Sequence, residues 1–248
     1  DAKNLPYIRA ALAGAAQKFD REIVDASGIT RYSQAYYIPD VVEGGEVEGF
    51  FVLVVDVSER VLAEMKLAET HAEMARRATS DSLTGLANRA LMEERLVTAL
   101  EAAARSGGMV GLVMIDLDEF KPVNDRHGHA VGDELLGVVA ERLNAVVRKT
   151  DVVARIGGDE FVVLCPEVAG QDEVATLADR LVEALSAEVC LASVDRPIKI
   201  GGSLGTVVTG PGTRTVTGPV LLREADRRMY VAKQAGGGQW HGGDLMND

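Results

Sequence analysis

Residues 155–164, RIGGDEFVVL, constrain the fold more than any other stretch of the chain. Two short apolar runs flank a turn with two glycines and two acids, and this arrangement predicts two antiparallel strands joined as a hairpin. A hairpin turn needs nothing beyond residues such as glycine and asparagine. The adjacent carboxylates of Asp159 and Glu160 therefore indicate a candidate site, and the alternative is a solvated acidic turn, because acid-rich turns are common.

Helical and strand-like patterns alternate around this hairpin after Ser80. Apolar residues recur at helical spacing in some segments, and other segments are apolar enough to be buried strands. Mixed helices and strands around a central hairpin predict an α/β domain whose sheet is covered by helices. The predicted helices span 88–104, 132–148, 174–185 and 221–234, and the predicted strands span 109–117 and 198–208.

The chain before Ser80 has a β-rich region followed by a helical one. The β-rich region predicts an alanine-rich helix and two paired antiparallel strands, separated by glycine turns. These elements span 7–18, 32–38 and 47–57, with turns at Ser27-Gly28 and Gly44-Gly45. The predicted domains are residues 1–57, 58–79 and 80–248.

Residues 58–79 consist of helix formers and predict a connecting helix with Ser58 as its N-cap. Charged residues cover most of its surface and leave a narrow apolar stripe of Leu62, Met65, Ala72 and Ala75. So thin a stripe favours a short dimeric coiled coil, and packing on the helix's own domain is the alternative.

The composition limits the possible functions. With 248 residues, 47% of them hydrophobic, the chain can bury a core. A formal net charge of -12 argues against a broad surface for nucleic acid or anionic lipid. No apolar run reaches the length of a membrane span, although a membrane segment upstream of Asp1 in a longer protein stays open. Cys165 and Cys190 lie among apolar neighbours, which predicts reduced core thiols and a cytoplasmic location.

Carboxylates also follow the strand predicted over 109–117. Asp116 lies at its end, and Asp118 follows on the same side. If this strand neighbours the hairpin, Asp116 and Asp159 converge, and a divalent cation offsets their repulsion. The glycines of the turn, Gly157 and Gly158, would then let a ligand approach the backbone.

Four motifs in order resemble the GGDEF family of diguanylate cyclases, from Ser80 to about Trp240. They are DSLTGLANR at 81–89, DLDEFKPVNDRHGHAVGDELL at 116–136, GGDEF at 157–161 and ADRRMYVAKQAG at 225–236. The resemblance implies a nucleotidyl-cyclase palm-like α/β domain, whose central, mainly antiparallel sheet is covered by helices. The segment before Ser58, with SGITR and DVSER, is similar to the C-terminal half of a PAS sensor domain.

The resemblance implies that a homodimer condenses two GTP molecules into cyclic di-GMP and releases two pyrophosphates. It implies that Asp116, Asp159 and the carbonyl of Leu117 bind Mg²⁺, with Mn²⁺ as a substitute. Asp159 is the candidate acceptor for the proton of the 3'-hydroxyl, and Glu160 supports the metal site or the ribose. The alternative function is a non-catalytic GGDEF module that binds GTP or cyclic di-GMP to regulate a partner.

For the base, the resemblance points to Asn124 and Asp133, whose groups match the donors and acceptors on the guanine edge. Asp133 could instead cap the helix that follows it. His129 is either a ligand contact or a packed, hydrogen-bonded histidine.

For the phosphates, the resemblance points to the backbone amides near Phe120 and Lys121 and to the side chain of Lys233. The family's arginine four residues after that lysine is replaced by Gly237, so Lys233 acts alone unless Arg155 or Arg228 substitutes for it. We therefore expect weak GTP binding, and a lower KM for GTP in a Gly237→Arg variant.

The RKTD stretch at 148–151 matches the family's inhibitory product site, which would use Arg148 and Asp151. Arg-guanine contacts give the reason for the arginine. Ordinary capping at a helix end is the alternative.

Overall fold

The structure is a computed structural model that describes residues 4–24, 28–212 and 215–245. Its contacts divide the chain into two units, Asp1–Met74 and Ala75–Asp248. The division into three domains drawn from the sequence stays a prediction. No helix in the described part of the chain combines the length and the apolar character needed to cross a membrane.

The first unit holds a three-stranded antiparallel sheet in which the strands neighbour one another in chain order. Tyr7 and Phe19 stack with ring centroids 3.8 Å apart and pack beside the buried Tyr37. The unit comprises α1 (Leu5–Leu12), β1 (Gln17–Val24), β2 (Thr30–Val41) and β3 (Val47–Asp56). The two paired strands expected from the sequence are present.

The helix expected over 7–18 is wrong at its C-terminal end. It stops at Leu12, because the chain turns at Gly14 with a φ of 88°. Gln17 then begins β1, a strand that the sequence analysis missed. Of the predicted turn at Ser27-Gly28, Ser27 lies outside the described residues.

The connecting helix, α2 (Ser58–Thr79), has the predicted bounds. Ser58 is its first residue and not its N-cap, because the hydroxyl of Ser58 accepts a hydrogen bond from the distant amide of Tyr32 at 2.8 Å. Asp56 Oδ1 instead accepts from the amide of Ser58 at 2.9 Å. Leu62 and Met65 of the predicted stripe are each 53% exposed. The side chains of Ala72 and Ala75 lie outside the described residues.

The second unit is a five-stranded sheet with helices on both faces. Its elements are α3 (Arg89–Ser106), β4 (Met109–Asp118), α4 (Phe120–His127), α5 (His129–Val146), β5 (Val152–Arg155), β6 (Glu160–Val168), α6 (Gln171–Ser186), β7 (Gly201–Val208), α7 (Gly218–Gln234) and β8 (Trp240–Asp244). The strand order is β5-β6-β4-β7-β8. All pairs are antiparallel except β7 with β8, which confirms the mixed α/β fold.

Alternation along β4 decides which face of the sheet carries the carboxylates. Ile115 belongs to the core formed with α5 and α6, and Met114 belongs to the core formed with α3 and α7. Successive side chains of a strand point to opposite faces, so Asp116 and Asp118 share the face of Met114. The carboxylates of β4 therefore lie on the face that α7 covers.

Helix α7 rests directly on the backbone of β7 at Gly205. A Cβ atom at this position would lie 2.0 Å from the carbonyl oxygen of Ala225 and 2.2 Å from the nitrogen of Met229. Only glycine fits so close an approach. This contact fixes α7 on the sheet one turn before Lys233.

Candidate active site

Asp116 and Asp159 meet at the junction of two neighbouring strands. In the β4 and β6 pairing Asp116 is opposite Glu160, and the amide of Leu117 donates to the carbonyl of Asp159 at 3.2 Å. Burial raises the pKa of Asp116, and the negative charges of Asp159 and Asp118 raise it further. The strand that ends with Asp116 and Asp118 is therefore a neighbour of the hairpin, as the prediction required. The carboxylates of Asp116, Asp118 and Asp159 influence one another electrostatically.

Lys233 reaches the same place from the last turn of α7. Its Nζ donates a hydrogen bond to Asp116 Oδ1 at 2.6 Å, and this bond is the main cause of the raised pKa of Lys233. The lysine side chain is 46% exposed and that of Asp116 13% exposed. Lys233, which is predicted to bind phosphate, therefore neutralises Asp116, which is predicted to bind metal. Because the lysine side chain is half exposed, its ammonium can move away from Asp116 without disturbing the core.

The oxygen donors around Asp116 suit a hard divalent ion. Mg²⁺ favours one or two carboxylates completed by substrate phosphates, and like-charge crowding at Asp116 and Asp159 is a cost that such an ion offsets. Within the residues that the structure describes, no group of three or more His, Cys, Asp or Glu side chains is gathered as a metal centre. The ligand role of the Leu117 carbonyl stays a prediction.

The two glycines of the GGDE turn have different surroundings. A Cβ atom at Gly157 would lie 2.5 Å from Glu160 Oε2, whereas nothing lies within 4 Å of one at Gly158. Gly157 therefore makes room for the folded-back carboxylate of Glu160. Only Gly158 borders open space, where a ligand could approach.

Arg155 is used within the protein. Its Nε and Nη2 donate to the carbonyl of Gly158 at 3.1 and 2.8 Å, and its Nη1 donates to Asp81 Oδ1 at 3.1 Å. Although burial opposes it, hydrogen bonds from Thr84 and Arg155 lower the pKa of Asp81. Arg89 also donates to the carbonyl of Ile156 at 3.1 Å. The DSLTGLANR motif thus holds the GGDE turn in place, a role that its residue types alone do not indicate.

Helix α4, which the sequence analysis missed, presents free amides at its start. Glu119 precedes it with a φ of 57°, and no side chain caps the helix. The amides of Phe120 and Lys121 lie in the first turn, where backbone N–H groups have no partner within the helix. Such a helix start favours an anion, which supports the predicted phosphate contacts.

Asn124 of α4 lies against α5 at Gly132. Asn124 Oδ1 is buried without a hydrogen-bond partner, and it is 1.9 Å from where a Cβ atom on Gly132 would be. Asp133 follows Gly132 in α5 and is exposed. The recognition of guanine by these two residues stays a prediction. Because α5 begins at His129, and not at Gly132, Asp133 is not a cap. His129 is exposed, which rules out the alternative of a packed histidine.

Comparison with known proteins places this arrangement in a family. The profile described as "Diguanylate cyclase, GGDEF domain" matches residues 78–239. The chain belongs to the GGDEF family of diguanylate cyclases. The elements that carry Asp116, Asp159 and Lys233 are therefore those of a GGDEF domain.

Three similar proteins illustrate the match. The chain is 39% identical over 197 residues to an uncharacterized signaling protein of Caulobacter vibrioides, which covers 78% of this chain and 23% of that protein. It is 37% identical over 174 residues to the diguanylate cyclase TpbB of Pseudomonas aeruginosa, which covers 69% of this chain and 39% of that protein. The chain therefore spans 23% to 39% of the length of these two relatives.

A crystal structure of the coiled coil and GGDEF domain of DgcB from Caulobacter crescentus, in complex with c-di-GMP, has a TM-score of 0.67 to this chain. The identity is 29%, and the match covers 75% of this chain and 96% of that one.

The RKTD stretch of this GGDEF domain forms a tight turn before β5. The amide of Arg148 donates to Asp151 Oδ2 at 2.9 Å, so Asp151 stabilises the turn. It does not cap α5, because the end of a helix leaves carbonyl groups unpaired and a carboxylate cannot donate to them. The Arg148 guanidinium, 65% exposed, pairs with Glu173 of α6. A cavity of about 170 Å³ adjoins the turn and is also lined by Arg180. Product binding stays a prediction, and Glu173 is a neighbour that the sequence spacing could not indicate.

The glycines after α7 form a turn into β8. Gly236, Gly237 and Gly238 have φ values of 116°, 71° and 63°. A Cβ atom at Gly237 would lie 2.8 Å from Asp118 Oδ2. Position 237, where the family has an arginine, therefore favours glycine, both because a side chain would collide with Asp118 and because its φ is positive.

Arg228 cannot substitute for the missing arginine. It is 8% exposed and donates to the carbonyls of Thr206 and Asp244 at 2.7 and 3.0 Å. These bonds tie α7 to the edge of the sheet. The expectation that Arg228 could reach the phosphates is wrong, because its donors are already used in the interior.

The two cysteines differ. Cys165 is buried, and burial raises the pKa of its thiol to about 12, which fits the predicted core thiol. Cys190 is exposed, so the prediction is wrong for this residue.

Proposed function

We propose that two copies of this chain condense two GTP molecules into cyclic di-GMP and release two pyrophosphates. The observation that carries the proposal is the convergence of Asp116 and Asp159 beside the ammonium of Lys233, because it joins metal-binding oxygens to a phosphate-binding cation. Family membership and the intact GGDEF signature at 157–161 support it.

The reaction is a phosphoryl transfer in which the 3'-oxygen of one nucleotide bonds to the α-phosphorus of the other, and the bond to pyrophosphate breaks. Positioning and charge stabilisation supply most of the rate in such reactions. Mg²⁺ or Mn²⁺, held by Asp116, Asp159 and the carbonyl of Leu117, would neutralise charge on the phosphates when bound. The Asp159 carboxylate accepts the proton of the 3'-hydroxyl. Glu160, beside it, supports this end of the site.

Lys233 changes partner during substrate binding. Its ammonium moves from Asp116 Oδ1 to the terminal phosphates, since charge-assisted bonds to phosphate are strong. The free amides of Phe120 and Lys121 hold the same triphosphate, and open space beside Gly158 admits it. The exchange releases Asp116 as the nucleotide arrives.

Guanine is selected between α4 and α5. Asp133 accepts from the N1 and N2 donors of the base, and Asn124 serves as both donor and acceptor, with His129 nearby. Adenine lacks those donors and would leave Asp133 unpaired, so ATP is a poor substrate.

The reaction needs two chains, since each holds one nucleotide. Helix α2, on which Leu62 and Met65 are half exposed, is the proposed dimer contact, and the PAS-like sheet before it is the proposed regulator. The Arg148 and Asp151 turn is the proposed site of product inhibition. The proposal places the reaction in the cytoplasm.

The purified chain incubated with GTP and Mg²⁺ tests the proposal, with nucleotides separated by chromatography. We expect cyclic di-GMP and pyrophosphate, none with ATP or after chelation of the metal, and activity per chain that rises with protein concentration. Asp159→Asn should abolish product, whereas Glu167→Gln, at an exposed position of β6, should not. GTP binding without product in the parent chain would instead support the non-catalytic module.

A further inference from the structure

Asp118 joins β4 to the glycine turn that follows α7. Its Oδ2 accepts a hydrogen bond from the amide of Gly238 at 2.7 Å, and its Oδ1 accepts from the hydroxyl of Ser203 at 2.6 Å. Ser203 lies on β7 and is completely buried. Both oxygens of one carboxylate are therefore held by groups that are distant in the chain.

Glycines flank this carboxylate and give it room. A Cβ atom on Gly201 would lie 2.9 Å from Asp118 Oδ2, and one on Gly237 would lie 2.8 Å from the same oxygen. Both distances are shorter than real Cβ atoms tolerate. The Asp118 carboxylate therefore packs closely against Gly201 and Gly237, and a side chain at either position would displace it.

The turn needs an anchor because of its composition. Three consecutive glycines have the largest conformational freedom to lose on folding. The turn directly follows the last helical turn, which carries Lys233, and it leads into β8 at Trp240. Movement of the turn would therefore move the end of α7 and the ammonium of Lys233.

We propose that Asp118 is a positioning residue of the nucleotide site, which holds the turn Gly236–Gly238 and thereby places Lys233 for the triphosphate. The Asp118 carboxylate thus restrains a turn whose own sequence, three consecutive glycines, is too flexible to restrain itself. The kinetic part of this inference rests on the proposed function, but the anchoring does not.

Asp118→Ala tests the proposal against Asp179→Ala. Asp179 is the matched control, because it accepts from the indole of Trp240 at 2.7 Å and holds the start of β8 without touching the turn. We expect Asp118→Ala to raise the KM for GTP about tenfold, the loss typical of one bond to a charged group, with a smaller change in kcat. Asp118→Asn, which keeps one acceptor, should fall between parent and alanine variant. The control should keep the parent KM.

Hydrogen exchange tests the anchoring apart from activity. The amides of residues 236–239 should exchange at least several-fold faster in Asp118→Ala, with thermal melts to verify folding, while the strands β4 and β6 stay protected. If the exchange rates of residues 236–239 stay unchanged, Asp118 does not anchor the turn. If these amides exchange faster but the KM for GTP stays the same, the turn does not place Lys233 for the triphosphate. If the parent chain makes no cyclic di-GMP, the proposed function is wrong but the anchoring by Asp118 can still be tested. The affinity for GTP, measured by calorimetry, then takes the place of KM in comparing the variants.

Discussion

Lys233 Nζ and Asp116 Oδ1 are 2.6 Å apart, so a cation of α7 and a buried carboxylate of β4 neutralise each other across the site. The pair joins residues separated by 117 positions. Even with this partner, the pKa of Asp116 is raised, because burial and the charges of Asp159 and Asp118 disfavour its ionised form. The ionised Asp116 carboxylate therefore destabilises the fold, although it is available to bind a cationic ligand.

Asp116→Asn should abolish turnover and raise the melting temperature at pH 7. The pKa of Asp116 in the folded chain lies above its ordinary value of 3.8, so its ionisation costs stability at neutral pH and costs none once both states are protonated. The advantage of the variant should therefore shrink as pH falls through the raised pKa of Asp116 and should be lost below about 4. Thermal melts from pH 3 to 8 measure it, with Asp226→Asn on the exposed side of α7 as control. A lower melting temperature at pH 7 would contradict this view of the site.

Arg155 and Asp81 should act as one unit on the GGDE turn. Removing either partner leaves a largely buried charge without its counter-ion, so Arg155→Gln and Asp81→Asn should each cost about 2 kcal/mol of unfolding free energy. The double variant should lose about 1 kcal/mol less than the sum. Denaturant unfolding of the four proteins measures the coupling.

Kinetics separates this role from the substrate contact predicted for Arg155. If Arg155 only holds the turn, both single variants should lower kcat and leave the KM for GTP nearly unchanged. An increase in KM for Arg155→Gln that Asp81→Asn does not share would favour direct contact with the nucleotide.

Local patterns predicted much of the fold. The hairpin was predictable because apolar runs flank glycines, and Asp116 because it ends a continuous apolar run. Helix α4 was missed because Phe120–His127 is short, polar and contains a proline, so it has no apolar period. Its formation depends on contacts with α5, which no single segment reveals.

Contacts between distant residues were beyond sequence patterns. Asp118 and Gly238 are separated by 120 positions, and no spacing rule connects a carboxylate on one strand with a glycine turn after the last helix. The same reason hid the pairing of Arg148 with Glu173. The resemblance named candidate residues, but it did not say which partners each one has in this chain.

Gly205→Ala should destabilise the second unit strongly. The added methyl group would meet the backbone of α7 at 2.0 Å, and a packed helix cannot move away without losing its core contacts. We expect a loss of about 3 kcal/mol or more. Gly137→Ala in α5 is the matched control, because nothing lies within 4 Å of the added atom, and it should stabilise by about 0.5 to 1 kcal/mol. Similar melting temperatures for the two variants would contradict the close packing of α7.

Arg148→Ala and Glu173→Gln should change product inhibition in opposite directions. Arg148→Ala removes the proposed guanine contact, so the initial rate should persist while inhibition by cyclic di-GMP weakens about tenfold. Glu173→Gln releases the guanidinium from its ion pair and should strengthen inhibition. Initial rates measured against added cyclic di-GMP test both. Equal sensitivity of the parent and both variants would mean that the RKTD turn has only a structural role.

Gly237→Arg should fail to lower the KM for GTP, contrary to what family resemblance suggests. Position 237 has a φ of 71°, a conformation that costs a side chain about 1 to 2 kcal/mol, and its Cβ atom would press on the Asp118 carboxylate. The displaced anchor should loosen the turn and raise KM, and the melting temperature should fall. Gly238→Asn is the control, because asparagine tolerates a φ of 63° and nothing lies within 4 Å of the new Cβ atom. A lower KM with an unchanged melting temperature in Gly237→Arg would mean that the arginine reaches the triphosphate and that the Asp118 anchor is dispensable.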